Sequence, residues 1–311
     1  PSWRARADDK TQRLARLFVE GFNAADAKKV SSVWLACQND ASEQVDGERL
    51  FHLRHGYDRI VETLVERLLR AGGELRFGVE VRRIAWGRRV VDIAARRAMG
   101  DSLPPIRGRV ALITLPVGVL QAQPGERGAV RFSPALPAEK RTAIRALPMG
   151  PVVKFLLRLQ RVPPPIARHG ITFLHVPAAP VPTFWLAGPE DVPVLVGWCA
   201  GPAVAKLPLD ESSRLRAAIA SLAKGLCMPR SAVARELEAW RIFDWQREPF
   251  SRGAYSYVAA GALDAPARLA APLDDTLFFA GEATHPQDAG TVHGAIASGQ
   301  RAAREIADRW R

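Results

Sequence analysis

Three stretches of the chain hold residues whose types and spacing can do chemistry. The first closes the chain. Leu277 to Ala280 is a short apolar strand that runs into Gly281-Glu282, then a polar loop, then a helix opening at Gly290-Thr291-Val292. The first N–H groups of a helix lack intrahelical acceptors and carry the positive end of its dipole, so they suit an anionic or electron-rich partner. The same helix keeps Gly294 and Gly299, with Ala295, Ser298 and Ala302 on its inner face. Glycine costs a helix interior about 1 kcal/mol relative to alanine, so these positions imply close approach by something. The plainer reading is a terminal helix packed on a sheet. The second stretch is MGPVVKFLLRL (149–159), where Lys154 interrupts an apolar strand. An ammonium buried without a partner is costly, so Lys154 either has a task there or snorkels to solvent from a strand edge. The third is DWQREPFSRGAYSYVAAG (244–261), with Trp245, Tyr255 and Tyr257. A strand would put the two tyrosines on one face. Each of these aromatics has ordinary core packing as its alternative.

The elements around these stretches suggest an α/β chain. Residues 10–36 read as helical, with Leu14, Leu17, Phe18 and Phe22 on one stripe and Val30, Val33, Trp34 and Cys37 on another. Residues 57–71 predict a helix with Ile60, Val61, Leu64 and Leu68 inward, closed by Gly72-Gly73. Strand candidates follow at 74–84, 88–95 and 109–116; the last is a nearly continuous apolar run, as in a strand buried on both faces of a parallel sheet. Further strands are expected at 152–159 and 193–200, and a helix at 210–226. The helix-and-strand rhythm points to an α/β fold interleaved with an α+β one. The α/β domain takes 50–116 and 266–311. A second domain takes 1–49 (helical) and 117–265 (mixed sheet and helices).

Composition narrows the function classes. At 311 residues with 48% hydrophobic content the chain can bury two cores. Its net charge is +12, but the basic residues are scattered, mostly Arg, with no block of like charge. That argues against a nucleic-acid partner. No apolar run is long enough for a membrane span. Cys37, Cys199 and Cys227 lie far apart without a C-x-x-C, which argues against a disulfide scaffold or a zinc site and suits a reducing, cytoplasmic setting. His52 and His55 have no obvious third ligand, so no metal site is expected.

The closing segment resembles the FAD-dependent amine oxidase family, which includes monoamine oxidases, polyamine oxidases and flavin histone demethylases. Its F-A-G-E, loop, G-T-V-H-G-A-x-x-S-G pattern stands here as Phe279 to Glu282 and Gly290 to Gly299. Further stretches are similar in the same order: HGYDRIVETLVERL (55–68), VEVRRIAW (79–86), ITLPVGVL (113–120), residues 132–159 and residues 244–261.

The resemblance implies a fold and a set of roles. The fold would be a doubly wound, Rossmann-like FAD-binding domain interleaved with a substrate domain. The Val292 N–H would meet the isoalloxazine ring, with Gly281 and Thr291 beside it. Glu282 would contact the FAD sugar or ribityl region, an assignment preferred to a general base prompted by His285 and His293. The Val81 backbone would meet the adenine side. Lys154 would hold a water near the flavin and assist hydride transfer or reoxidation. Trp245 and Tyr255 would form an aromatic cage for a small-molecule amine, which cation–π attraction would help to gather, and Thr291 would leave that cage open on one side. No Cys stands in 244–261, where monoamine oxidases carry the flavin-linking cysteine, so the FAD would be non-covalent. Dioxygen would reoxidise the flavin to yield hydrogen peroxide. The family's opening G-x-G-x-x-G, which holds the FAD pyrophosphate, is absent from residues 1–311. That unit is expected upstream, on another chain, or nowhere, and the chain reads as the C-terminal portion of such an enzyme. Two other readings stay open: a related flavin oxidase or desaturase acting on a large apolar substrate, and a non-catalytic binding module.

Overall fold

From Val79 the chain folds back and forth as β1 (Val79–Gly87), β2 (Val90–Arg97) and β3 (Ile106–Gly108), then forms the short β4 (Ala111–Ile113) and β5 (Arg131–Ser133). β5 lies parallel beside β1, giving the order β3-β2-β1-β5. This is a computed structural model, and it describes residues 8–44, 53, 56–98, 100–187 and 193–310. His52 and His55 lie outside the described residues.

The next part of the chain supplies β6 (Met149–Gly150), β7 (Val152–Leu159), β8 (Phe173–His175), β9 (Thr183–Leu186), β10 (Val194–Ala200) and β11 (Leu237–Asp244). Five of these make an antiparallel sheet in the order β11-β7-β10-β9-β8. Its two faces differ. Val153, Phe155, Leu157 and Leu159 of β7 are buried against Ala218, Leu222 and Ala223 of the helix Glu211–Gly225. The alternating residues Lys154, Leu156 and Arg158 are half-buried or exposed. Alternation with one solvated face is what an antiparallel sheet covered on one side requires. The covering helix starts where Asp210 caps the Ser213 N–H at 2.8 Å.

β6 continues backward from β7 and pairs with β12 (Tyr255–Ser256). β13 (Leu277–Phe279) pairs in parallel with β4, and the closing helix Val292–Arg309 follows it, capped by Thr291. Two cores result. One gathers Ala25, Trp34, Ile84, Val91, Ile113, Leu147, Tyr257 and Phe279. The other is drawn from residues 153–233. Trp34 belongs to the first core, which draws on both expected parts: Ile84, Val91 and Ile113 from one, Leu147, Tyr257 and Val258 from the other.

Two helical expectations need correction. The 10–36 helix is broken into Asp9–Leu17, a π-helical turn Phe18–Phe22 and Ser32–Gln44. Ala24 adopts φ +49° between them and is wholly buried with Val152 and Ala200. Tertiary packing thus overrides helix propensity at that point. The helix Asp58–Arg70 forms as expected, but Val61, Leu64 and Leu68 are exposed. No element among the described residues covers its apolar stripe. The stripe Leu14, Phe18 and Phe22 is exposed too, because the break at Ala24 and not that stripe fastens the segment to the sheet. Among the described residues no helix is long and apolar enough to cross a membrane.

Candidate active site

The two-residue strand β12 is the junction of the site. On one side it meets Glu282. The Ser256 N–H donates to Glu282 Oε1 at 3.2 Å and the Ser256 hydroxyl to Oε2 at 2.8 Å. Gly290 N–H, just before the closing helix, donates to the same Oε2 at 2.7 Å. Burial pushes the Glu282 carboxyl above its ordinary range, against the pull of these three hydrogen bonds. A carboxylate offers about four lone-pair sites, so one direction remains for a further donor. His285 and His293 turn instead toward Asp288, at 3.4 Å each, which removes them as partners for Glu282.

On its other side β12 meets the π-turn and the sheet. The Tyr255 hydroxyl donates to the Phe22 carbonyl, and burial pushes its phenol pKa up. The neighbouring Gly21 carbonyl accepts the Trp198 indole N–H at 2.9 Å. Trp198 of β10 stands directly across from Lys154 of β7, and Phe243 of β11 faces Lys154 from the opposite side. Cross-strand partners share a face with Cβ atoms about 5 Å apart, so the Lys154 stem is flanked by two aromatic rings. Among the described residues nothing accepts a hydrogen bond from its ammonium. Trp245 lies two residues beyond Phe243 and stacks on it, with ring centroids 6.2 Å apart. Lys154 is four residues from Gly150, the partner of Tyr255. An extended chain covers at most about 14 Å over that stretch, which keeps Lys154 in reach of the β12 neighbourhood.

The third wall is formed by the β13–helix connection. Gly281 has φ +127°, a region closed to side chains, and space stands open where its Cβ would be. Its N–H is held by Ser298 Oγ at 2.9 Å. Thr291 Oγ accepts from Gly294 N–H at 3.0 Å and donates to the Asp288 carbonyl at 2.7 Å. Val292, the first helical residue, is half exposed, and among the described residues its N–H meets no acceptor. A cavity of about 250 Å³ lies against this wall, lined by Thr114, Leu115, Met149, Gly281, Glu282 and Ala295 among others.

A family model described as flavin containing amine oxidoreductase matches residues 4–307. The chain belongs to this family. Among similar proteins, polyamine oxidase 1 of Oryza sativa subsp. japonica is 32% identical over 299 residues, covering 82% of this chain and 56% of its own length. Lysine-specific histone demethylase 1B of Mus musculus is 30% identical over 262 residues, covering 82% of this chain and 30% of that protein. The chain thus spans about half or less of these relatives. Among solved structures, cyclohexylamine oxidase from Brevibacterium oxydans IH-35A superposes with a TM-score of 0.77 at 21% identity, over 99% of this chain and 67% of that one. Wild-type putrescine oxidase bound to putrescine does so with 0.77 at 19%, over 97% and 65%. Their likeness bears on the fold: an α/β FAD-binding part with a mixed-sheet substrate part.

A flavin amine oxidoreductase must hold a flavin, and the residues here fit one. An open glycine at Gly281 and a cavity against Gly281 and Glu282 stand beside the start of the closing helix, whose Val292 N–H meets no acceptor among the described residues. The cavity lies below the roughly 300–1,000 Å³ of whole ligand pockets, so this wall suits part of a flavin cofactor and not the whole of it. Val81 of β1 lies at a register shift, and β5 covers only Arg83–Ala85. The neighbouring stretch of β1 therefore has an edge with no strand beside it among the described residues. The expected shared face of Tyr255 and Tyr257 does not form. β12 stops at Ser256, and Tyr257 enters the first core while Tyr255 packs with Ala24, Val152 and Trp198. Trp198 and Phe243 were missed in the sequence. Alternation marks the face of each strand, but only register puts these two beside Lys154.

Proposed function

We propose that this chain carries much of the active site of an FAD-dependent amine oxidase, with the FAD bound non-covalently. The enzyme converts a primary or secondary amine to an imine with reduction of dioxygen to hydrogen peroxide. The observation that carries the reading is β12. One two-residue strand is hydrogen-bonded on one side to Glu282, which also accepts from Gly290 N–H, and on the other to the Phe22 carbonyl, next to the Gly21 carbonyl that holds Trp198 opposite Lys154. When bound, the flavin supplies the hydride acceptor and the route of electrons to dioxygen.

The chain's own residues bind, orient and hold water. The Val292 N–H and the positive helix end meet electron-rich ring atoms. Glu282 fixes the Gly290 turn and β12 relative to one another, leaving one acceptor site for a cofactor hydroxyl. Gly281 keeps that wall clear of side chains, and the open edge of β1 at Val81 offers backbone groups to the adenine end. Tyr255 and Trp245 flank the amine, and Thr291, with its hydroxyl engaged, leaves space beside them. Lys154, between two rings and without an acceptor among the described residues, holds a water at its ammonium on the substrate side.

The test is flavin absorbance and peroxide release by the full-length protein on an amine panel, with Lys154→Met beside it. We expect a yellow protein, peroxide with at least one amine, and a drop of about 10²-fold or more in turnover or reoxidation for the variant. A colourless protein, or Lys154→Met turning over at the wild-type rate, refutes the corresponding part.

A further inference from the structure

We propose that the open face of the five-stranded sheet is the wall that receives the substrate's tail, and that it selects a monoamine with a cyclic or arylalkyl tail over a polyamine. This rests on the amine-oxidation reading above and deepens it.

The register builds the wall. One row across the sheet runs Phe243, Lys154, Trp198, Thr183 and His175. The next row runs Arg241, Leu156, Val196, Trp185 and Phe173. All these side chains share the face that the helix Glu211–Gly225 does not cover. Trp198 and Trp185 lie with ring centroids 5.7 Å apart, and Trp185 and Phe173 5.9 Å apart. Together these three rings form an apolar strip leading away from Lys154, while Val196 in the same row is buried. The Gly21 carbonyl fixes the Trp198 ring through its indole N–H, so the start of the strip is pre-set and does not depend on the substrate to order it.

Among the described residues the charges on this face without an ion-pair partner are both positive. Lys154 stands in the first row and Arg241 in the second. Arg158 lies further along and is paired with Glu238 at 3.1 Å. His175 is bonded to Thr183 at 3.3 Å. The carboxylates near the face are engaged elsewhere. Asp244 alternates with Phe243 to the covered face and binds Arg214 at 2.9 Å. Glu20 on the π-turn pairs with Arg16 at 3.7 Å. A polyamine bound with one nitrogen at the flavin would place its second ammonium over a strip that, among the described residues, offers cations and ring faces but no free carboxylate. A ring face attracts an ammonium only weakly at an exposed site, while two neighbouring cations repel it. An apolar tail gains the whole strip and meets no repulsion.

The experiment uses the full-length, flavin-loaded protein and two readouts. Peroxide release gives kcat/KM for phenylethylamine, cyclohexylamine, putrescine and spermidine. Tryptophan fluorescence, titrated anaerobically with the same amines, reads binding apart from turnover. We expect phenylethylamine to exceed spermidine by about tenfold or more in both readouts. Arg241→Glu, at an exposed side chain, lowers that ratio about fivefold by giving the second ammonium a partner. Trp198→Ala lowers the ratio through the KM for phenylethylamine, and Trp198→Phe restores most of it. A wild-type preference for spermidine or putrescine, or an Arg241→Glu ratio that does not move, overturns the proposal and leaves amine oxidation standing. Binding of phenylethylamine without turnover of any amine supports the wall and overturns the reaction instead. Neither binding nor turnover of any amine overturns both.

Discussion

Glu80→Gln removes one negative charge from the base of β1, next to Val81, while keeping the side chain's shape. Glu80 is 7% exposed. Its Oε1 accepts from Arg82 at 2.8 Å and from Gly128 N–H at 3.1 Å, and its Oε2 accepts from Arg96 at 2.7 Å. Burial alone would raise its carboxyl. The hydrogen bonds from Arg96, Gly128 and Arg82 outweigh burial and hold the pKa at about 2, down from 4.5. A shift of that size corresponds to about 3 kcal/mol of stability. The partly exposed arginines bring the expected effect to about 2–3 kcal/mol. The sign follows from the lowered folded-state value. The stabilisation is fully present above pH 4.5 and is lost as pH falls from there toward 2. Urea unfolding of wild type and variant at pH 7, 5, 4 and 3 measures it. The two curves should differ most at pH 7 and converge as pH drops through 4. A difference below about 1 kcal/mol at pH 7, or one that stays constant down to pH 3, refutes the account of Glu80 as the anion that holds β1, β2 and the Gly128 loop together.

Lys140 is almost fully buried, with its ammonium donating to the carbonyls of Arg268, Leu269 and Ala271 at the end of the helix Ala265–Ala270. Burial, with a smaller push from Arg301, brings its pKa down to about 8, so it stays charged at neutral pH. Lys140→Met strands these acceptors and should cost about 2–4 kcal/mol in urea unfolding at pH 7; a loss under about 1 kcal/mol would show that water replaces the ammonium. The two helix glycines should part company. A Cβ on Gly294 would sit 2.3 Å from the Asp288 carbonyl oxygen, whereas one on Gly299 would meet nothing within 4 Å. Gly294→Ala should therefore destabilise by about 1–3 kcal/mol, and Gly299→Ala should be neutral or stabilise by up to about 1 kcal/mol. Equal midpoints for the two variants in thermal melts would contradict this.

What was legible in the sequence depended on how local the cause was. β7 runs from Val152 to Leu159 as expected, and the helix Glu211–Gly225 lies within one residue of its expected ends, because apolar periodicity and an Asp210 cap are local signals. The helix opening at Gly290-Thr291-Val292 was legible too, and the structure starts that helix at Val292 with Thr291 as its cap; the positive φ of Gly281 was not, because sequence does not fix backbone angles. The closeness implied by Gly294 was also legible, but its partner was not. The Asp288 carbonyl fills that space, so the glycine there serves the chain's own loop, and Gly299 alone faces open space. The partners of Lys154 were invisible for another reason. Trp198 lies 44 positions from Lys154 in the sequence and Phe243 lies 89, and their meeting depends on a register that side-chain alternation leaves undetermined. The π-turn was hidden more deeply still. Leu14, Phe18 and Phe22 look like a buried stripe, yet they are exposed, and the turn acts through two backbone carbonyls, at Gly21 and Phe22, that any residue could supply. Side-chain pattern cannot point to a function carried by the main chain. This is why the contact joining the Glu282 side of β12 to the Lys154 side became visible only in three dimensions.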